Sequence, residues 1–173
     1  MKTRNTFVTL TICVLLALTT TFFVNLHKVS ARPITDCRKF VTGTYLTTNS
    51  GDLGPFRAIT TYTQDGNFFF SASNQVVPIQ GSDSLRPLYG LVHGSWKCSS
   101  DREVTGTTLN FNYPTATVPS TISKTDFRAT FDPKAQTVQG TVTIKNFDLD
   151  ANPLVDDAPE VGTFTFTGQR VKP

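Results

Sequence analysis

The stretch FRAITTYTQDGNFFFSASNQV, Phe56 to Val76, decides how the chain is read. Two runs rich in β-branched and aromatic residues, Phe56–Thr63 and Phe68–Val76, flank Gln64-Asp65-Gly66-Asn67. Asp-Gly between such runs is the strongest short hairpin signal, because both central turn residues take φ > 0. The same rhythm continues outward. Upstream lies Val41–Thr48, ended by Asn49-Ser50-Gly51-Asp52-Leu53-Gly54-Pro55. Downstream, Val77–Leu88 carries two prolines and a glycine and reads as the longest loop, a candidate lid. Strand-like runs then recur at Tyr89–Cys98, Glu103–Tyr113, Thr121–Phe131, Gln136–Phe147 and Val161–Val171, each closed by turn chemistry. An acidic loop, Asp148–Glu160, precedes the last of them. No segment of useful length has helical periodicity. Eight strands joined mostly by short loops predict an all-β fold. The expected architecture is a single eight-stranded antiparallel up-and-down barrel, whose closure removes exposed edges. A two-sheet sandwich, the alternative, shows longer crossover connections.

The first residues belong to no fold. Lys2 and Arg4 precede an apolar run from Phe7 to Val24, and Val29-Ser30-Ala31 follows as a small-residue cleavage site. This is the layout of a secretory signal peptide over residues 1–31. Residues 32–40 then form a polar N-terminal arm, and 41–173 the barrel domain. Five threonines inside the apolar run argue against a retained membrane anchor, and Cys13 lies mid-run after Ile12, which argues against lipidation. The mature chain is thus expected not to span a membrane and to be exported, to a periplasm or the extracellular space. Of the 16 Lys and Arg set against 13 Asp and Glu, Lys2, Arg4 and Lys28 fall in the leader, so the mature chain is neutral. That removes the electrostatic basis for a nucleic-acid partner. Cys37 and Cys98 remain after cleavage. In an exported domain they favour one intramolecular bridge over two free thiols or an intermolecular pair. Neither has a C-x-x-C neighbour or a nearby His cluster, which argues against redox or zinc chemistry.

Period-2 alternation separates the strand faces. It assigns Tyr45, Phe68, Phe70, Trp96, Leu109, Phe111, Phe127, Phe131, Phe164 and Phe166 to the interior. Threonines line much of the opposite faces, as suits solvated β surface. An eight-stranded barrel is either filled by its own side chains or holds one small ligand. The aromatic set is therefore either a packed core or the wall of an apolar pocket.

Some of these residues also form short motifs. Gly43-Thr44-Tyr45 opens the first strand in G-x-[WY] form, and Arg170 ends the last. Thr61–Gly66 reads T-x-x-x-D-G, Gly94–Trp96 reads G-x-W, and Thr165–Gly168 gives a final T-F-x-G. In these marks the chain resembles the calycin/lipocalin superfamily, and in particular uncharacterised secreted bacterial lipocalin-like β-barrels. The resemblance covers most of residues 41–171. It implies that Gly43, Tyr45 and Arg170 pack together to close one end of the barrel. It further implies small-molecule binding at the barrel mouth in a bacterial periplasmic or extracellular protein.

Catalytic signatures are missing: no G-x-S-x-G, no H-E-x-x-H, no phosphate-binding glycine loop. His93, the only mature histidine, shares a face with Ser95 and Lys97 and reads as surface. Asp148, Asp150 and Asn152 place oxygen ligands at alternate positions, as a calcium loop does. Pro153 then stands where Gly is required, and Pro159 where the bidentate Glu belongs. Asp126 and Arg128 share a strand face as a surface charge pair. Arg57 and Arg86 border loops and are candidate anchors for a ligand carboxylate. No cofactor is indicated. The leading expectation is non-enzymatic binding or carriage of a small apolar ligand inside the barrel, through Tyr45, Phe68, Phe70, Trp96, Phe111, Phe127, Phe131, Phe164 and Phe166. The alternatives are a filled barrel acting through its surface, and a barrel-type cyclase or isomerase.

Overall fold

The structure, a computed structural model, describes residues 37–51, 55–75 and 88–172. The expected signal peptide, most of the N-terminal arm, the expected lid between residues 77 and 87, and Arg86 lie outside the described residues. A short helix α1 (Arg38–Val41) leads into eight strands: β1 (Gly43–Gly51), β2 (Phe56–Tyr62), β3 (Asn67–Ala72), β4 (Val92–Cys98), β5 (Glu103–Asn112), β6 (Thr121–Asp132), β7 (Thr137–Asp148) and β8 (Glu160–Arg170). Each strand pairs antiparallel with the next, and β8 returns to β1 from Tyr45↔Arg170 to Gly51↔Phe164, closing the barrel. The predicted all-β up-and-down barrel is the fold observed. Among the described residues no helix is long and apolar enough to cross a membrane.

The Asp65-Gly66 turn joins β2 to β3, with Gly66 at φ +92°. The Asp65 carboxylate accepts from the Thr63 hydroxyl and from Asn67 Nδ2, the latter at 2.7 Å, so the turn carries its own polar network. That bonding, the Thr63 hydroxyl first, holds the Asp65 carboxyl below its usual range. The strand β3 stops at Ala72, short of the expected Val76. There Gln75 takes over, accepting from the Ala72 N–H at 3.2 Å and donating to the Gly90 carbonyl.

One half of the barrel is solid. Tyr45, Tyr62, Phe68, Trp96, Phe127 and Phe131 are buried there with Val41, Val104, Ala129 and Val138. Tyr62 sits at the hub, edge-on to Phe68 at 5.0 Å, Phe131 at 5.2 Å and Trp96 at 5.9 Å between ring centroids. Such pairs contribute about 0.5–1.5 kcal/mol each beyond the area they bury. Two glycines make room for rings from neighbouring strands. A Cβ on Gly106 would stand 2.3 Å from the Phe127 ring, and one on Gly140 would stand 2.6 Å from the Phe166 ring.

The helix α1 plugs this end. Cys37 and Val41 are fully buried, and Cys37 is disulfide-bonded to Cys98 at the end of β4. The Tyr45 hydroxyl donates to the carbonyls of Phe40 and Val41, both at 3.1 Å. Arg170 lies over the Tyr45 ring, 6.0 Å from its centroid, and donates to the carbonyls of Phe40 and Thr42. A Cβ on Gly43 would stand 2.9 Å from the Arg170 guanidinium, and its φ of +151° also favours glycine. Gly43, Tyr45 and Arg170 thus meet at the closed end.

Candidate functional site

The other half of the barrel is hollow. A cavity of about 340 Å³ opens away from α1, within the range of small-ligand sites. Its floor is the upper surface of the packed half: Tyr62, Phe68, Phe127 and Phe166. Its wall is divided by strand. β3 and β4 supply Phe68, Phe70 and Val92, while β7 and β8 supply Val142, Ile144, Val161, Phe164 and Phe166 and one polar residue, Asn146. Between these mainly apolar arcs lie two richer in polar groups. β1 and β2 contribute Thr47, Asn49 and Thr60; β5 and β6 contribute Thr108, Asn110, Asn112, Ser123 and Thr125. Phe56 on β2 stands at the rim, edge-on to Phe164 at 6.1 Å.

The polar arcs are built, not incidental. Asn112 Nδ2 donates to Thr121 Oγ1 and Ser123 Oγ, both at 2.8 Å, and Asn110 Nδ2 donates to Asn112 Oδ1 at 3.1 Å. Ser123 Oγ donates in turn to Asn146 Oδ1 at 2.6 Å. Across the barrel the Thr47 hydroxyl donates to the Ala58 carbonyl at 3.2 Å, and Asn49 Nδ2 reaches Thr47 Oγ1 at 3.5 Å. Two lining hydroxyls, Tyr62 Oη and Thr108 Oγ1, are buried and have no protein partner. An unpaired buried hydroxyl costs about 1–3 kcal/mol.

Among the described residues that line the cavity, none is Asp, Glu, Lys, Arg or His. The titratable ones are Tyr62 and Tyr89. Burial pushes the Tyr89 hydroxyl up to about 12, and burial, with Tyr45 second, drives that of Tyr62 higher still. Both are neutral phenols at physiological pH. The site offers uncharged hydrogen bonds and apolar surface.

Of the aromatic residues expected inside, Phe68, Phe70, Phe127, Phe164 and Phe166 line the cavity. Tyr45, Trp96 and Phe131 lie in the packed half beneath it. Phe111 is a correction: it is 59% exposed on the outer face, and Leu109 shares that outward parity. Pairing decides the matter. Gly106 lies opposite the inward-facing Trp96, so Thr108, Asn110 and Asn112 also point in, and the residues between them point out. Sequence reasoning missed the polar arcs because it sent polar residues to solvent. The parity was nonetheless visible, since Thr47 and Asn49 follow Tyr45 at even spacing, and Ser123 and Thr125 precede Phe127 in the same way.

The remaining candidates lie outside the cavity. His93 is exposed and packs edge-on to Phe69 at 5.4 Å. Arg128 is bound to Glu103 at 2.7 Å rather than to Asp126, which accepts from the Thr107 hydroxyl; the β5–β6 register sets Thr107 directly opposite Asp126 and Glu103 diagonal to Arg128. Arg57 is exposed, its backbone N–H donating to Ser73 Oγ at 3.2 Å. In the acidic loop, Asn152 Oδ1 accepts from the Leu154 N–H at 3.0 Å, and Asp156 accepts from the Asn152 N–H at 2.6 Å. Those two oxygens serve the loop's own backbone, and Asp157 is bound to Lys145 at 2.6 Å. Among the described residues no cluster of three or more His, Cys, Asp or Glu forms a metal-sized site.

No protein-family model matches the chain, and no curated protein matches it in sequence. One solved structure, EF1p2_mFAP2b bound to DFHBI, is similar at 13% identity with a TM-score of 0.48, covering 80% of this chain and 99% of that one.

Proposed function

We propose that the chain is an exported, lipocalin-like barrel that binds or carries a small, mainly apolar molecule without transforming it. The observation that carries this reading is the half-filled interior. Packing saturates one end, while the other keeps a cavity of about 340 Å³ whose polar groups are largely bonded to one another. A barrel acting only through its surface has no need to maintain a buried Asn–Ser network around a hollow. The bound molecule enters from the end opposite α1, and the disulfide-tied plug closes the other. The Cys37–Cys98 bridge supports export to an oxidising compartment.

Native mass spectrometry of the mature protein purified from its own host, followed by solvent extraction, tests the proposal. A stoichiometric extractable molecule is expected. Trp96 contacts Tyr62 on the cavity floor, so its fluorescence should respond saturably when that molecule is returned. A clean protein mass, with no saturable Trp96 response across a broad apolar panel, would overturn the reading.

A further inference from the structure

The polarity of the cavity changes with depth. Its floor, set by the packed half, is four aromatic rings: Tyr62, Phe68, Phe127 and Phe166. The Tyr62 hydroxyl, the one polar atom among them, is buried and out of a ligand's reach. The deep hydroxyls of Thr47 and Thr60 turn to the main-chain carbonyls of Ala58 and Tyr45, at 3.2 and 3.5 Å. All five asparagines described in the lining lie higher. Asn49, Asn110, Asn112 and Asn146 stand within two residues of the mouth ends of β1, β5 and β7, and Asn74 follows the mouth end of β3. Register joins two of them in a single rung. Asn110 pairs with Ser123 and Ser123 with Asn146, three lining side chains abreast on β5, β6 and β7. Ser123 stands four residues from the floor ring of Phe127 along β6, about 13 Å.

The bonds within the rung leave one donor and one acceptor over. Ser123 and Asn112 both donate to Asn146 Oδ1, at 2.6 and 3.4 Å, which turns the Asn146 Nδ2 group away from them. Asn110 uses its Nδ2 on Asn112 Oδ1, which leaves its own Oδ1. Neither Asn146 Nδ2 nor Asn110 Oδ1 bonds another described residue, and neither is sealed in as the Tyr62 hydroxyl is. Resting on the reading that this cavity binds a ligand, we infer that the ligand is an uncharged amphiphile, held apolar end down on the aromatic floor, with a hydroxyl or carboxamide head read by Asn110 and Asn146. Such a head both donates and accepts, which matches the acceptor and the donor that the rung leaves over. A carboxylate only accepts and would face Asn110 Oδ1 unpaired. It would also lie about 7 Å from Asp148, two residues further along β7 than Asn146. An ammonium only donates and would meet the Asn146 Nδ2 group donor to donor.

The test is calorimetric titration of the mature protein, near neutral pH, with octanamide, 1-octanol, octanoate, octylammonium and methyl octanoate, which share a chain and differ in the head. Octanamide and octanol should bind about tenfold or more tightly than the other three. The ester, neutral but acceptor-only, separates hydrogen bonding from charge. Asn146→Asp keeps the oxygen that accepts from Ser123 and puts a second acceptor in place of the Nδ2 donor, at an exposed residue outside the packed half. It should weaken octanamide about tenfold and strengthen octylammonium. Asn146→Leu should weaken octanamide alike, without that gain. Octanoate, octylammonium or the ester matching octanamide would overturn this inference and leave the binding reading intact. So would indifference of octanamide to both Asn146 substitutions. If no probe saturates, the inference falls, and extraction of the host-purified protein then decides the binding reading by itself.

Discussion

Tyr62 belongs to both halves of the barrel. Its ring holds the aromatic core together, while its hydroxyl is buried without a partner at a residue that lines the cavity. Tyr62→Phe keeps the ring and removes the unpaired hydroxyl. Thermal or denaturant unfolding should show the variant to be more stable, by about 1 kcal/mol. Tyrosine burial also sets an alkaline limit. The folded chain holds the Tyr62 and Tyr89 protons more tightly than the unfolded one, where tyrosine titrates near ~10. The stability these groups contribute is whole below about pH 10 and is lost as pH rises toward about 12. Unfolding followed by circular dichroism across that window should show the loss, and Tyr62→Phe should blunt it.

At the scale of elements, α1 and the ends of β1 and β8 act as one plug. Arg170→Met keeps an apolar stem over Tyr45 but withdraws the donors to the Phe40 and Thr42 carbonyls. A loss of about 2 kcal/mol is expected on denaturant titration, with the plug loosening first. The disulfide joins residues 61 positions apart, and on the chain-entropy model its removal costs about 4 kcal/mol. Reduction, or Cys37→Ser with Cys98→Ser, should lower Tm by roughly 10 °C. How much of this was legible depends on the element. The strands announced themselves through β-branched runs between turn residues, and β2, β5 and β6 begin at the expected residue. The motif residues Gly43, Tyr45 and Arg170 meet as the resemblance implied. The facing of β5 was not legible from β5 alone. Leu109-Asn110-Phe111-Asn112 alternates cleanly, and hydrophobicity chooses the wrong phase because an interior can be polar when its groups bond one another. Only the partner strand, with Trp96 opposite Gly106, resolves it.

At the scale of the molecule, the two ends differ in their connections. The closed end is turned by the short segments 63–66, 99–102 and 133–136. Residues 73–75 and 88–91 and the segments 113–120 and 149–159 sit at the mouth. Leu88, Leu91, Tyr113, Leu154 and Val155 are exposed in or beside those mouth segments, alongside the exposed carboxylates of Asp150, Asp156 and Asp157. Amide hydrogen exchange should divide the same way. Amides around Tyr45, Trp96 and Phe131 should exchange through global unfolding. Those near Asn49, Asn112 and Gly162 should open locally and gain protection from a bound ligand. A ligand that protected α1 instead would place entry at the wrong end. The cavity itself was not legible, because a hollow is a small difference between the volume a barrel encloses and the volume its side chains fill.

That division has a consequence for how such a chain can change over generations. New activities commonly arise at the expense of stability, because one set of side chains serves both. Here Val41, Tyr45, Trp96 and Phe131 anchor the fold away from the cavity, while Asn49, Asn110 and Ile144 line the cavity and lie outside the core cluster. The upper wall can therefore be rewritten with little effect on the packed half, while Tyr62, Phe68, Phe127 and Phe166, together with Phe70 and Val142 packed against them, answer to both demands.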